Sequence, residues 1–143
     1  MRFATIHKLF IFYISTFSIA SIAHACFAPH WDVYVTNTIS DNIVAHIKSR
    51  DDDLGNHTIP FNGNYHWSFC EALFGRTVFY AYFWWGSRFQ TLALFNEKLE
   101  VDYCFIDDLR DQHCYWFVKL DGFYISESPD PNGDKVYLIK SWN

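Results

Sequence analysis

The residues best placed to do chemistry in this chain of 143 are its four cysteines, Cys26, Cys70, Cys104 and Cys114. Thiols serve mainly as metal ligands or as disulfides. Zinc ligation favours C-x-x-C pairs with His at fixed offsets, and neither pattern occurs here. An even cysteine count in an oxidising compartment reads instead as two disulfides. Four cysteines allow three connectivities. Cys104 lies near the end of one candidate strand and Cys114 begins the next, across a polar loop, so local closure is easy and Cys26 falls to Cys70. Sequence alone leaves the other two pairings open.

The remaining reactive groups are dispersed. Beyond residue 25 the His residues are His30, His46, His57, His66 and His113, and no H-E-x-x-H, no nucleophile elbow around Gly86-Ser87 and no phosphate-cradling glycine loop accompanies them. Asp51-Asp52-Asp53-Leu54-Gly55 is the densest charge, but calcium loops alternate their oxygen ligands so that they converge, and three adjacent carboxylates do not. A solvated loop or helix-like turn is expected there. Asp107, Asp108 and Asp111 form a second acidic loop, between Cys104 and Cys114. No metal, cofactor or catalytic residue is expected; a glycosidase needs two carboxylates at a set separation, which sequence does not give. Asn56-His57-Thr58 is the single N-x-S/T sequon, which makes Asn56 the expected glycosylation site in an exported chain.

The elements that must position these groups are short. Candidate strands are Trp31–Thr38, Ile43–Ser49, Tyr65–Cys70, Thr77–Trp85, Phe89–Phe95, Val101–Ile106, Cys114–Leu120, Phe123–Ser126 and Lys135–Lys140, each closed by polar, Gly or Pro residues. No dozen-residue window carries a helical apolar stripe. Starts spaced by roughly 8 to 12 residues predict a small all-β antiparallel sandwich with two disulfides. Asp121-Gly122 suggests a type I′ hairpin, and the Pro129 to Asp134 stretch must be a loop. In the cluster Tyr80, Tyr82, Phe83, Trp84 and Trp85, alternate aromatics are expected to fill the core and the outer ones to pair across strands, rather than form a sugar-stacking platform. Trp84 and Trp85 must face opposite ways, because adjacent strand residues do.

Ahead of this domain, Arg2 and Lys8 precede an apolar run from Leu9 to Ala23 that ends in Ala23-His24-Ala25, the small-x-small pattern of signal-peptidase sites. Residues 1–25 therefore read as a removed signal peptide and residues 26–143 as one domain. The alternative, a membrane anchor, is disfavoured because the run is short for a bilayer and interrupted by Ser and Thr. The domain keeps nine basic against 16 acidic side chains, a formal charge of −7, which excludes a nucleic-acid or anionic-membrane surface. Aromatics at 21% exclude intrinsic disorder.

The order of short blocks is more specific than any one of them. Val33-Tyr34-Val35-Thr36-Asn37, His46 through Gly55, Trp67-Ser68-Phe69-Cys70, Thr77-Val78-Phe79-Tyr80-Ala81, Phe83-Trp84-Trp85, Cys114-Tyr115-Trp116 and Asp121-Gly122-Phe123-Tyr124 together resemble the plant self-incompatibility protein family, also called S-protein homologues. The resemblance covers nearly all of residues 26–143. It implies a secreted, extracellular β-sandwich that is not an enzyme, a monomer, and a ligand for a cell-surface protein receptor, as in the family's founding members, which arrest incompatible pollen. Cys commonly follows the His of one family block and ends another, at positions matching Ile47 and Ala81 here. Joint loss of both is what losing one bridge would look like. Receptor contact is expected through the loops holding Asp51, Asp52, Asp53 and Asp107, Asp108, Asp111. The rival readings are a small secreted hydrolase, which needs converging titratable groups, and a cell-wall carbohydrate-binding module, which needs exposed coplanar aromatics among Trp31, Trp84 and Trp85.

Overall fold

The computed structural model describes residues 26–105 and 112–143. The expected signal peptide, 1–25, and the acidic residues Asp107, Asp108 and Asp111 lie outside the described residues. The chain forms β1 (His30–Asn37), β2 (Ile43–Ser49), β3 (Asp53–Ile59), β4 (Asn64–Cys70), β5 (Phe79–Trp85) and β6 (Arg88–Phe95). After these come α1 (Glu97–Tyr103), β7 (Gln112–Lys119), β8 (Gly122–Ser126) and β9 (Val136–Ser141). Two sheets result, ordered β4-β1-β7-β8-β9 and β3-β2-β5-β6. Every pairing is antiparallel except β1 with β7, which is parallel and makes the larger sheet mixed.

Alternation drives the sandwich. In β1, Trp31, Val33, Val35 and Asn37 point inward, while Asp32, Tyr34 and Thr36 point out. In β2, β5 and β6 the inward set includes Ile47, Ala81, Phe83, Leu92 and Leu94, all buried. This period of two is what lets one face of each sheet enter a shared core. Trp116 of β7 crosses that core and donates its indole N–H to the Leu94 carbonyl of the other sheet at 2.8 Å. The inward Asn37 is fully buried, and its amide is satisfied: it donates to the carbonyls of Asp41 (2.7 Å) and Ile59 (2.9 Å) and accepts from the Ile39 N–H (2.8 Å).

Three local expectations are corrected. The stretch read as a solvated acidic loop contains β3, an edge strand that pairs with β2. Its Asp, Gly and Asn are poor strand formers, but an edge strand carries polar outward residues that discourage further pairing. A bulge at Leu54 breaks the register, and Gly55 supplies the positive φ of 80° there. The stretch read as a strand from Val101 to Ile106 begins instead inside α1. Asn96 caps that helix by accepting from the Leu99 N–H at 2.9 Å. Seven residues are too few to display a helical stripe in sequence. Third, the β7–β8 hairpin closes through Leu120-Asp121, neither with positive φ, so no type I′ turn forms. Gly122 already belongs to β8, where a Cβ would collide with the Lys140 carbonyl of β9.

Candidate functional site

Both disulfides form: Cys26 pairs with Cys70 (Cα–Cα 5.6 Å) and Cys104 with Cys114 (4.7 Å). The first lies beside an open groove of about 300 Å³ at one end of the sandwich. One wall is the β2–β3 turn, Ser49 to Asp52, where the Ser49 N–H donates to the Asp52 carbonyl (2.7 Å) and the Asp52 N–H to the Ser49 hydroxyl (3.1 Å). The other wall is the β4–β5 loop with Ala72, Arg76, Thr77 and Val78, and Phe69 and Phe79 line the groove between them. The loop is braced where the Ala72 N–H donates to the Thr77 hydroxyl at 2.7 Å.

Of the residues expected to meet a partner, Asp51 and Asp52 line this groove. Asp53 does not. Its carboxylate lies 2.7 Å from His46 Nε2 and accepts from the Gly55 N–H at 2.9 Å. The hydrogen bond from His46, then that from Gly55, holds its carboxyl below the usual range. Asp53 therefore fastens the bulge. Sequence reasoning missed Arg50, Arg76 and the apolar tip Leu73-Phe74. Phe74 is 86% exposed with φ of 69°, and Gly75 follows at 63°. A bulky side chain in left-handed backbone costs on the order of 1–2 kcal/mol, and an exposed ring recovers none of that by burial. An apolar pair beside Gly in an inter-strand loop was the available signal. Among the described residues neither arginine lies within 4 Å of a carboxylate, so both charges are open to a partner.

The rival chemistries map to other surfaces. Ser68, Asp32 and His113 meet on the outer face of the larger sheet, where the Ser68 hydroxyl donates to Asp32 and His113 Nδ1 lies 3.8 Å from the other Asp32 oxygen. A hydrolytic serine needs its hydroxyl on the imidazole; this one is committed to the carboxylate. Tyr34 lies between His66 and Tyr115, stacked at 5.0 Å on each. Burial, then the Asp32 charge, raises the Tyr34 phenol; burial also leads for Tyr115, followed by the Tyr34 and Asp32 charges. On the smaller sheet Trp84 is 38% exposed, whereas Trp31 is buried and Trp85 half-buried, 5.8 Å from Trp142. Among the described residues there is no cluster of three His, Cys, Asp or Glu fit to hold a metal ion, and no helix long and apolar enough to cross a membrane.

The profile of the family described as Plant self-incompatibility protein S1 matches residues 32–141, the whole sandwich from β1 to β9. The chain belongs to the plant self-incompatibility protein family. Among curated members, S-protein homolog 5 of Arabidopsis thaliana is 35% identical over 98 residues, covering 66% of this chain and 71% of that protein. S-protein homolog 1 of the same plant is 28% identical over 114 residues, covering 78% and 71%. A solved structure of SPH (Self-Incompatibility Protein Homologue) proteins, described as small, highly stable and secreted from plants, superposes with a TM-score of 0.60. It covers 82% of this chain and 98% of that one at 15% identity, so it supports the fold. In this family member, Ile47 and Ala81, which match family cysteine positions by resemblance, are direct register partners on β2 and β5 and are fully buried.

Proposed function

We propose that this family member is exported with residues 1–25 removed and acts, as a monomer and without catalysis, as a ligand for a cell-surface protein receptor. The contact surface is the groove end of the sandwich. The observation that carries this reading is Phe74: an aromatic ring held outward in left-handed backbone, 6.0 Å from the Arg76 guanidinium, on the β4–β5 loop that walls a groove also lined by Arg50, Asp51 and Asp52. Aromatic and Arg anchors within a mixed-charge rim are what dominate protein–protein interfaces, and strained loops cluster at such sites. The acidic segment Asp107 to Asp111, tethered between Cys104 and Cys114, is proposed as a second contact. Pollen–pistil recognition is the proposed setting, and pistil-restricted transcripts are the expected expression pattern.

The test uses fluorescently labelled protein collected from plant culture medium, whose amino terminus should be Cys26. Saturable binding to pollen tubes or protoplasts is expected, lost after protease shaving of the cells. Phe74→Ser should weaken it about tenfold, the effect of one hot-spot side chain of roughly 1.4 kcal/mol, without lowering the melting temperature. Equal binding by wild type and Phe74→Ser removes the groove end from the reading.

A further inference from the structure

The outward face of the smaller sheet holds an aromatic patch that the proposed receptor contact does not use. Tyr80, Tyr82 and Trp84 alternate outward along β5, and Phe89 of β6 pairs opposite Trp84. The Tyr82 ring lies within 23° of parallel to both Trp84 (6.3 Å) and Phe89 (6.4 Å). Lys48 sits 5.6 Å from the Tyr80 and Tyr82 rings, and His46, held by Asp53, borders Tyr82 at 6.2 Å. A contiguous aromatic surface open to water calls for an occupant.

The ladder register supplies one. Asn56 of edge strand β3 pairs directly with His46 of β2, and His46 pairs directly with Tyr82 of β5. All three lie on the outward side, since their neighbours Ala45, Ile47, Ala81 and Phe83 are buried in the core. Asn56 is exposed and heads the Asn56-His57-Thr58 sequon. Two strand spacings, about 10 Å, separate its backbone from that of Tyr82, which is within reach of the paired N-acetylglucosamine units that begin an N-linked glycan.

We propose that the glycan attached to Asn56 folds back across this face of its own chain and covers Tyr82, Trp84 and Phe89. The apolar C–H faces of pyranose rings suit the electron-rich faces of aromatic rings. His46 and Asp53 flank the first sugar with polar groups. Carried by an edge strand, the same glycan blocks β3 from pairing with another chain. The proposal rests on export through the secretory route, where the modification is made.

Protein exported by plant cells is compared before and after enzymatic removal of the glycan, with Asn56→Gln, Tyr82→Ser and Phe89→Thr alongside. Expected are one glycan on Asn56, N-acetyl methyl protons shifted upfield by ring currents, and a melting temperature about 3 °C higher with the glycan, the size of a sub-kcal contact in a domain of this length. That difference should vanish in Tyr82→Ser or Phe89→Thr. Exported protein with Asn56 unmodified overturns the inference and leaves the export reading standing; a chain that is never exported overturns both. A glycan with unshifted methyl protons, or one whose removal matters equally in Tyr82→Ser, overturns it as well. So does binding of soluble N-acetylglucosamine oligomers to Tyr82 and Trp84 in the intact glycoprotein, because the face would then be open. The methyl-proton measurement needs only wild type, so it decides the matter even if a variant misfolds.

Discussion

The β1–β4 and β2–β5 pairs are antiparallel ladders of similar length, held in different ways. Strand β4 lies at the edge of the larger sheet with β1 as its single neighbour, and it is fastened at both ends. The Cys26–Cys70 bond closes one end. At the other, the Asn37 backbone donates to the Gly63 carbonyl (3.0 Å) and accepts from the Asn62 N–H (2.8 Å). Strands β2 and β5 sit inside the smaller sheet, each paired on both sides, and no disulfide crosses them; Ile47 and Ala81 meet as buried apolar partners. A strand with one neighbour has half the ladder and less packing to resist fraying, so a covalent tie contributes more there than in a sheet interior.

Cutting the tie should produce the largest effect. Cys70→Ser releases a loop of 44 residues, a loss of about 4 kcal/mol by loop-closure entropy, read as a lower urea midpoint and a newly reactive Cys26 thiol. A loss under about 1 kcal/mol would show that the edge pair does not depend on its bridge. Peptide mapping under non-reducing conditions should recover Cys26 linked to Cys70. At the opposite end, Asn37→Ala strands the two carbonyls and the N–H that its amide satisfies. It should cost about 3 kcal/mol, with hydrogen exchange rising first around Asn62 and Gly63.

Restoring a bridge to the unbridged pair sharpens the comparison from the other side. Ile47→Cys with Ala81→Cys puts two thiols at directly opposed antiparallel positions, within the Cα range a disulfide needs. Thiol titration should find both oxidised, and stability should rise by about 2 kcal/mol: a cross-link contribution near 4, less the packing lost at Ile47. A gain as large as the Cys70→Ser loss would contradict the view that interior strands need the tie less.

The smallest effect is pH-dependent and lies at the bridged end. Glu71, next to Cys70, accepts the Trp31 indole N–H at 3.0 Å, and Glu100 of α1 is pushed up to about 7 by burial, then by the neighbouring Glu71 and Glu97. The folded state thus keeps a proton that the unfolded chain loses near its usual 4.5. Stability from this group is greatest below pH 4.5, falls as pH rises toward 7 and then levels. With part of the carboxyl's field screened by solvent, the fall should be about 1 kcal/mol, and Glu100→Gln should flatten that portion of the curve in melts from pH 4 to 8.

Much of this was legible beforehand. Alternation in Trp31 to Asn37 and in Phe79 to Trp85 marks half-buried strands, because side-chain direction in a strand is fixed by the backbone itself. The sequon is written locally as well, whereas α1 and its Asn96 cap went unread, because seven residues are too few to show an apolar stripe. Strand β3 was hidden because Asp-Leu-Gly-Asn violates strand preference, and only pairing with β2 makes it worthwhile.

By itself, then, the sequence determined the sandwich class, the count of two bridges and the inward aromatics, all of which follow from periods of two and from residue chemistry. The tertiary structure alone decided the rest: that β1 runs parallel to β7, that Asp51 and Asp52 share a groove with Arg76, that Ile47 opposes Ala81, and that Asn56 shares a row with Tyr82. Each of these is a juxtaposition of segments far apart in the chain. Their register is set by how whole sheets pack and by where a bulge falls, and no local pattern encodes that.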